Sequence, residues 1–427
     1  MPLTLARRVA LLVLLASACR AQVSPFPSND WASLNDAGER AYERRQYAAS
    51  ENFLKGALQL AENFGHDDPR VATTLNDLAL LYRAEGKLQD AEPLYRRSLA
   101  IREKKLGPSD PAVAVSLNNL AGLLAAENRY MEAEQKYRRA LAIREKALGP
   151  NSPEVAIVLN NLAAMYSAQG KFEKAEPLLK RALAIREKSL GPENPQVANA
   201  LNNLAGVYAS DGKYALAEPL YLRAISIDEK TQGPEQTALT LDLSNLGAAY
   251  FQQGKYGEAE PLYRRALDIR DKTLGPMHPL TGVAAQNLAG LYKAQARYDE
   301  ADALYKRALA IFEQSAGLDS PEAGAVLDAL SSMYVTEGKY AEAQTIYARL
   351  IVVEEKVLGQ DSLALAGSLD DYAQDLRKLG QDAQAGDLES RAKAIRAAQP
   401  KASAATTPTP GPHVTQASAK ASTQKSN

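Results

Sequence analysis

A glycine that recurs every 42 residues constrains the fold of this chain more than any other feature of the sequence. The same position holds a glycine in most repeats, and Asn128 and Ala296 fill the two gaps between them: Gly86, Gly170, Gly212, Gly254, Gly338 and Gly380. The alanine five residues later never changes: Ala91, Ala133, Ala175, Ala217, Ala259, Ala301, Ala343 and Ala385. A period of this size predicts a solenoid, in which each repeat buries its apolar face only by stacking on its neighbours.

Within one repeat, the apolar residues indicate two helices. Leu159, Leu162 and Tyr166 recur at helical spacing up to the Gln169-Gly170 turn, and a second apolar stripe begins at Phe172. The second helix is expected to end at a Leu-Gly-Pro turn, because proline cannot continue a helix. An Asn-Pro, Asp-Pro, Ser-Pro or His-Pro pair then starts the next repeat, with its first residue as the helix N-cap. The sequence therefore predicts a row of antiparallel helical hairpins.

These motifs resemble the tetratricopeptide repeat, in the 42-residue form found in kinesin light chains. The resemblance rests on the segments LNNLA, EAEPLYRRALAIREK and LGPxxP, and it covers residues 31–396. It implies an all-α solenoid of nine antiparallel hairpins that form a right-handed superhelix. For function it implies a platform that binds other proteins.

Both ends of the chain differ from the repeats. Residues 1–21 contain two arginines and then a short apolar run, which predicts an export signal, and residues 22–30 read as a tether. Residues 397–427 are rich in Ala, Ser, Thr and Pro, with three lysines and no acidic residue, which predicts a disordered tail. We therefore expect an exported protein of the periplasm or cell envelope.

Cys19 is the only cysteine, and it lies where a bacterial lipoprotein signal carries its lipidated cysteine. The alternative is ordinary cleavage near Ala18 or Ala21, with Cys19 removed or incidental. Ala16 in place of a leucine three residues before the cysteine favours cleavage. Both readings stay open, and a lipid at Cys19 would be the only membrane attachment that the sequence suggests.

Composition and motifs argue against several other classes of protein. The 50 basic and 51 acidic residues nearly cancel, which leaves no electrostatic footprint for nucleic acid. The three histidines are far apart in the sequence, and His278 is better explained as a helix cap. No phosphate-binding glycine loop is present. We therefore expect no enzyme activity, no metal site and no cofactor.

A column of polar residues on the first helix of each repeat is the best candidate for a binding site. The resemblance implies that this column lies on the concave surface and bonds the main chain of an extended peptide. Its members are Asn76, Asn118, Asn160, Asn202, Ser244 and Gln286, with Asn35 at the matching place in the first repeat and Asp328 and Asp370 in the last two. Four residues further on, the residues are small (Gly122, Ala164, Gly206, Ala248 and Gly290), which leaves room for a peptide backbone. The asparagine that follows each member, such as Asn119 or Asn161, either bonds between repeats or contacts the ligand, and the first reading is favoured.

The predicted groove also contains three widely spaced cations, Arg83, Lys293 and Arg377. Kinesin light chains bind acidic peptides through basic residues of their groove. The small number of basic residues in this groove therefore argues against an acidic ligand. Two functions fit the sequence. The first is an exported scaffold that binds extended peptide segments or partner proteins in its groove. The alternative is an assembly factor of an envelope complex that acts through its convex face or edges.

Overall fold

The computed structural model describes residues 30–233 and 236–398. The predicted export signal with Cys19, the tether up to Asn29, and the predicted tail beyond Ala398 lie outside the described residues.

Within the described ranges, the chain consists of 18 helices and contains no strand, which confirms the all-α prediction. In chain order, α1 to α18 span Trp31–Glu43, Tyr47–Glu62, Pro69–Ala84, Leu88–Leu106, Pro111–Ala126, Tyr130–Leu148, Pro153–Ala168, Phe172–Leu190, Pro195–Ser210, Tyr214–Gln232, Leu239–Gln252, Tyr256–Leu274, Pro279–Ala294, Tyr298–Ala316, Pro321–Glu337, Tyr340–Leu358, Leu363–Lys378 and Asp382–Ala398. Odd-numbered helices are the first helices of the repeats, and even-numbered helices are the second helices. Each odd-numbered helix packs against the even-numbered helix that follows it, so the repeats are helical hairpins.

The chain divides into two units, Met1–Ile185 and Arg186–Asn427. In the first unit, Leu159 of α7 packs against Ala182 and Ile185 of α8. In the second unit, a larger cluster includes Tyr305 and Phe312 of α14. The invariant alanine column is fully buried in both units, because a larger side chain would separate the two helices of a hairpin.

The helix starts follow the predicted capping chemistry. Six first helices begin with a proline preceded by a residue whose side chain accepts a backbone N–H: Asp68, Asp110, Ser152, Asn194, His278 and Ser320. His278 accepts from the Leu280 N–H through Nδ1 at 3.1 Å, so its predicted capping role is confirmed. The exception is α11, which follows Ala238 and has no side-chain cap.

Candidate functional site

The predicted asparagine column lies on the first helices, but most of it is buried. Asn76, Asn118 and Asn202 are 5%, 9% and 7% exposed, and Asn160 is half-buried. We use the term first-helix face for this column together with the small-residue column four residues further on. Burial on this face means that the amides must find partners within the protein.

In the first unit, the asparagine amides form a hydrogen-bonded ladder that joins successive repeats. Asn161 of α7 donates from Nδ2 to Oδ1 of Asn118 on α5 at 3.0 Å, and Asn118 donates in turn to Asn119 at 3.3 Å. Asn119 then donates to Oδ1 of Asn76 on α3 at 2.9 Å. Asn119 and Asn161 thus bond between repeats, which is the interpretation that the sequence favoured for them.

The ladder ends on a carboxylate. Asp77 accepts from Asn76 at 3.3 Å and from Asn35 of α1 at 3.1 Å. Burial raises the pKa of Asp77, and these two donors act in the opposite direction. The Asn35 carbonyl accepts from Thr74, whose hydroxyl accepts from the Trp31 indole N–H at 2.9 Å. The first repeat is therefore held to the second by a buried polar network in which each bond has a defined direction.

In the second unit, the same bond joins α11 to α9, where Asn245 donates to Oδ1 of Asn202 at 3.0 Å. Ser244 donates to the Thr240 carbonyl at 2.6 Å, within its own helix, and Gln286 is half-buried on α13. Asn76, Asn118 and Asn202 therefore accept hydrogen bonds from the next repeat, a role that the sequence did not reveal. The buried Oδ1 of Asn160 has no hydrogen-bond partner. Contact of this column with a ligand stays a prediction.

The predicted groove cations occupy different surroundings. Lys293 donates to Ser332 Oγ at 2.9 Å, and burial lowers its pKa while Asp328 raises it. One guanidinium nitrogen of Arg83 lies 3.0 Å from the point where a Cβ of Gly122 would be. Burial raises the pKa of Tyr95, and the charge of Arg83 lowers it by a smaller amount. Arg377 pairs with Glu389 of α18 through two hydrogen bonds, at 2.9 and 2.8 Å.

Three glycines of the small-residue column lie in front of a tyrosine hydroxyl that comes from the second helix of the same repeat. The hydroxyl oxygens of Tyr137 and Tyr221 lie 3.3 and 3.7 Å from the Cβ positions of Gly122 and Gly206, and Tyr305 lies 3.6 Å from that of Gly290. Burial raises the pKa of each tyrosine, so the hydroxyls stay neutral at ordinary pH. Sequence analysis missed this arrangement, although each tyrosine follows its glycine by 15 residues.

The second helices carry a regular series of ion pairs, each joining an arginine to a carboxylate of the preceding second helix. The pairs are Arg97–Glu62, Arg139–Glu103, Arg181–Glu145, Arg223–Glu187, Arg265–Glu229, Arg307–Asp271, Arg349–Glu313 and Arg391–Glu355. Pairs four residues apart within one second helix, such as Glu92 with Arg96, are also formed. The basic segments of the second helices are therefore largely paired with acids of the same protein, as expected for a solvated face.

A family model for the tetratricopeptide repeat matches residues 32–104, 112–188, 161–230 and 236–314, more than half of the sequence. The chain belongs to the tetratricopeptide repeat family.

Solved structures with similar folds include other tetratricopeptide repeat proteins. A kinesin-light-chain-like protein of Podosopora anserina, with nearly identical repeats, shares 28% identity, covers 48% of this chain and 97% of its own, and has a TM-score of 0.44. The quorum sensor NprR of B. thuringiensis has a TM-score of 0.54 at 14% identity, over 86% of this chain and 98% of its own. Aspartyl phosphate phosphatase F of Bacillus subtilis has a TM-score of 0.50 at 14% identity, over 86% and 94%. At 14% identity, the similarity to these last two proteins shows a shared fold and nothing more. A search of curated proteins found no match to the sequence.

Two further observations concern the described part of this tetratricopeptide repeat protein. None of its histidine, cysteine and acidic side chains form a group of three or more that could hold a metal ion. None of its described helices is both long and apolar enough to cross a bilayer.

Proposed function

We propose that this tetratricopeptide repeat protein is an interaction scaffold that binds extended polypeptide segments on its first-helix face. The observation that carries the proposal is the pair of glycines at 206 and 290. A Cβ at either position would meet the nearest tyrosine hydroxyl at an ordinary contact distance, so packing does not require glycine there. Glycine inside a helix is less favourable than alanine by about 0.5–1 kcal/mol. The space that these glycines leave on the face therefore has no structural explanation, and close approach of a ligand backbone explains it.

The chemistry of the face suits a polypeptide main chain. Tyrosine hydroxyls behind the glycines donate and accept hydrogen bonds, as do amides, and both groups are neutral. Each bond to a ligand contributes about 0.5–1.5 kcal/mol net, so binding requires several repeats acting together. We expect selectivity for ligand sequence to be low and salt dependence to be modest, because few charges of the face take part.

Substitution of the two glycines separates binding from stability. Gly206→Ala combined with Gly290→Ala is expected to raise the urea midpoint, because alanine favours the helix. The same double variant is expected to weaken binding of a partner, first isolated with the full-length chain, by about tenfold, since two backbone approaches are blocked. Isothermal titration and urea denaturation of the full-length variant measure the two effects.

Gly386→Ala is the matched control, because Gly386 lies inside the second helix α18 and its Cβ would meet nothing within 4 Å. This control should raise stability without changing affinity. Unchanged affinity in the double variant would contradict binding on the first-helix face. It would favour the assembly-factor alternative, in which the second-helix face or the edges make the contacts.

We also propose that the protein is exported to the periplasm or cell envelope, either with a lipid on Cys19 or after ordinary cleavage near Ala18 or Ala21. The support is the apolar segment that follows Arg7 and Arg8 and the position of Cys19. Mass spectrometry of the mature N-terminus decides the matter. A lipid-modified Cys19 would demonstrate the anchor, a start near Gln22 would show export without it, and an intact Met1 would contradict both.

A further inference from the structure

Carboxylates gather on the last two repeats, in the second unit. Asp328 of α15 and Asp371 of α17 are exposed, and Glu354 of α16 is partly buried. Burial raises the pKa of all three, and each is raised further by a neighbouring carboxylate: Asp328 by Asp371, Glu354 by Asp328, and Asp371 by Asp370. These groups are thus close enough to repel one another.

The earlier repeats show that the fold does not require acids at these positions. The position of Asp371 is an asparagine in five earlier repeats, namely Asn119, Asn161, Asn203, Asn245 and Asn287. The position of Glu354 is an arginine in four of them, namely Arg102, Arg144, Arg186 and Arg270. The last repeats therefore carry acidic side chains at positions where earlier repeats of the same fold carry neutral or basic ones.

The buried carboxylate of Asp375 is a second, independent observation that favours a cation near these carboxylates. It is 2% exposed, neither of its carboxylate oxygens has a hydrogen-bond partner, and burial raises its pKa to about 6. Earlier repeats have Leu123, Met165 or Leu291 at this position. The fields of Asp371, Asp328 and Asp375 all act on the Tyr347 hydroxyl, and together with the larger effect of burial they raise the pKa of Tyr347 to about 12. An unpartnered buried carboxylate is costly, and a cation placed beside it would lower that cost.

Cations of the described chain neutralise only part of this charge. Arg396, in the last turn of α18, pairs with Asp370 at 2.5 Å, and Lys293 acts on Asp328. The carboxylates do not form a group suited to a metal ion. Tyr372, which is partly exposed, stacks on the buried Tyr347 with ring centroids 5.4 Å apart, and aromatic rings attract cations such as the lysine ammonium group.

We propose that the chain's own C-terminal segment, residues 399–427, docks its lysines on the acidic patch of Asp328, Glu354 and Asp371, close to the buried Asp375. The segment contains Lys401, Lys420 and Lys425 and no acidic residue. The described chain ends at Ala398, two residues after Arg396, which pairs with Asp370, the chain neighbour of Asp371. Lys420 lies 22 residues beyond Ala398, so an extended chain would let it reach about 70 Å, far more than the width of a repeat. Tethering also raises the local concentration of the lysines.

Zero-length cross-linking of the full-length chain tests the proposal. A carbodiimide activates a carboxylate, and a lysine amine in contact with it then forms an amide. Mass spectrometry is expected to find Lys420 or Lys425 linked to Asp328 or Asp371 within one chain. Asp328→Asn combined with Asp371→Asn should lower the total yield of tail-lysine links about fivefold, because the segment loses its charged partners.

The matched control is Asp90→Asn combined with Glu173→Gln, two exposed carboxylates of the first unit, and it should leave the links unchanged. An equal mixture of isotope-labelled and unlabelled chains shows whether the links are within one chain. Links between chains, links spread evenly over carboxylates of the whole surface, or a yield unaffected by the double substitution would each overturn the proposal. Because the readout needs no partner, its failure is distinguishable from failure of the proposed peptide binding.

Discussion

At the scale of single residues, the turn within each hairpin shows that a repeat can replace its usual glycine with another residue. Gly254 has φ of 71° and Gly338 has φ of 78°, and at the same position Ala296 and Asn128 adopt φ of 57° and 60°. The left-handed region brings a Cβ close to the neighbouring backbone, which costs about 1–2 kcal/mol for most residues and less for asparagine. Arg297, next to Ala296, is tied to Glu260 at 2.8 Å. Contacts of this kind hold the strained turn in place.

Ala296→Gly is therefore expected to stabilise the protein by about 0.5–1 kcal/mol, because glycine removes the strain but also gains freedom in the unfolded chain. The urea midpoint of the full-length chain measures the effect. Gly254→Ala, which makes the opposite change in the neighbouring repeat, should lower the midpoint. A lower midpoint for Ala296→Gly would show that the turn is not strained.

At the scale of helices, the junction of α10 with α11 differs from the junction that follows it. In that junction and in three earlier ones, an arginine of the second helix donates to a carbonyl near the start of the next first helix, as Arg270 does to Leu280 at 2.7 Å. Here the equivalent residue is Asp228, and it acts on Asp242 of α11, which is also 4% exposed. The N-terminus of α11 also lacks a side-chain cap. This junction therefore lacks both the arginine–carbonyl hydrogen bond and the N-cap hydrogen bond.

The buried pair makes the stability of this junction depend on pH. Burial, and then the charge of Asp228, raise the pKa of Asp242 from 3.8 to about 8. Tyr221 of α10 also faces Asp242, while Arg270 of α12 donates to Thr240 of α11. A carboxyl whose pKa is raised by folding stabilises the fold most when both states are protonated, below about pH 4. That contribution is lost as the pH rises through about 8.

Asp242→Ala restores the residue that Ala200 and Ala284 provide at the same position. The variant is expected to exceed the parent protein in stability at pH 8–9, and the difference should shrink as the pH falls towards 4. Hydrogen exchange of α10 and α11 across this range is the measurement. The exposed Asp268→Ala serves as the control and should show no such trend. A difference that grows towards low pH would contradict a raised pKa.

At the scale of the whole molecule, the repeat design predicts that complete repeats are dispensable. In a solenoid the free energy of folding is approximately a sum of terms for single repeats and for the contacts of neighbours. Deletion of the 42 residues from Thr281 to Glu322 joins Leu280 to Ala323 in the same phase of the repeat. The shortened chain is expected to keep its mean helicity per residue in circular dichroism.

Deletion of residues 281–301 is the control for that experiment, because it removes half a repeat and reverses the direction of every helix that follows. This second deletion should lose cooperative unfolding. If the two deletions behaved alike, the repeats would not be the structural units of the chain.

The sequence by itself determined the features that depend on local interactions. Helix spacing, the N-caps from Asp68 to Ser320, the glycine turns and the buried alanine column all follow from residues close in the chain, because backbone sterics and capping act within a few residues. The 42-residue period then implied that successive hairpins contact one another. This is why the helices and their pairing were predictable without coordinates.

Only the tertiary structure decided what the repeated polar columns contact. Asn118 is one residue from Asn119 and 43 from Asn161, yet it bonds to both, and the rotation of one first helix against the next selects that geometry. The arginine of one second helix meets the carboxylate of the preceding one for the same reason, as in the Arg139–Glu103 pair. Glycines such as Gly206 are sterically replaceable, which becomes visible only when the tyrosine behind them is in place. A sequence period specifies which residues recur, whereas the partners of a side chain depend on the angle and separation at which helices pack.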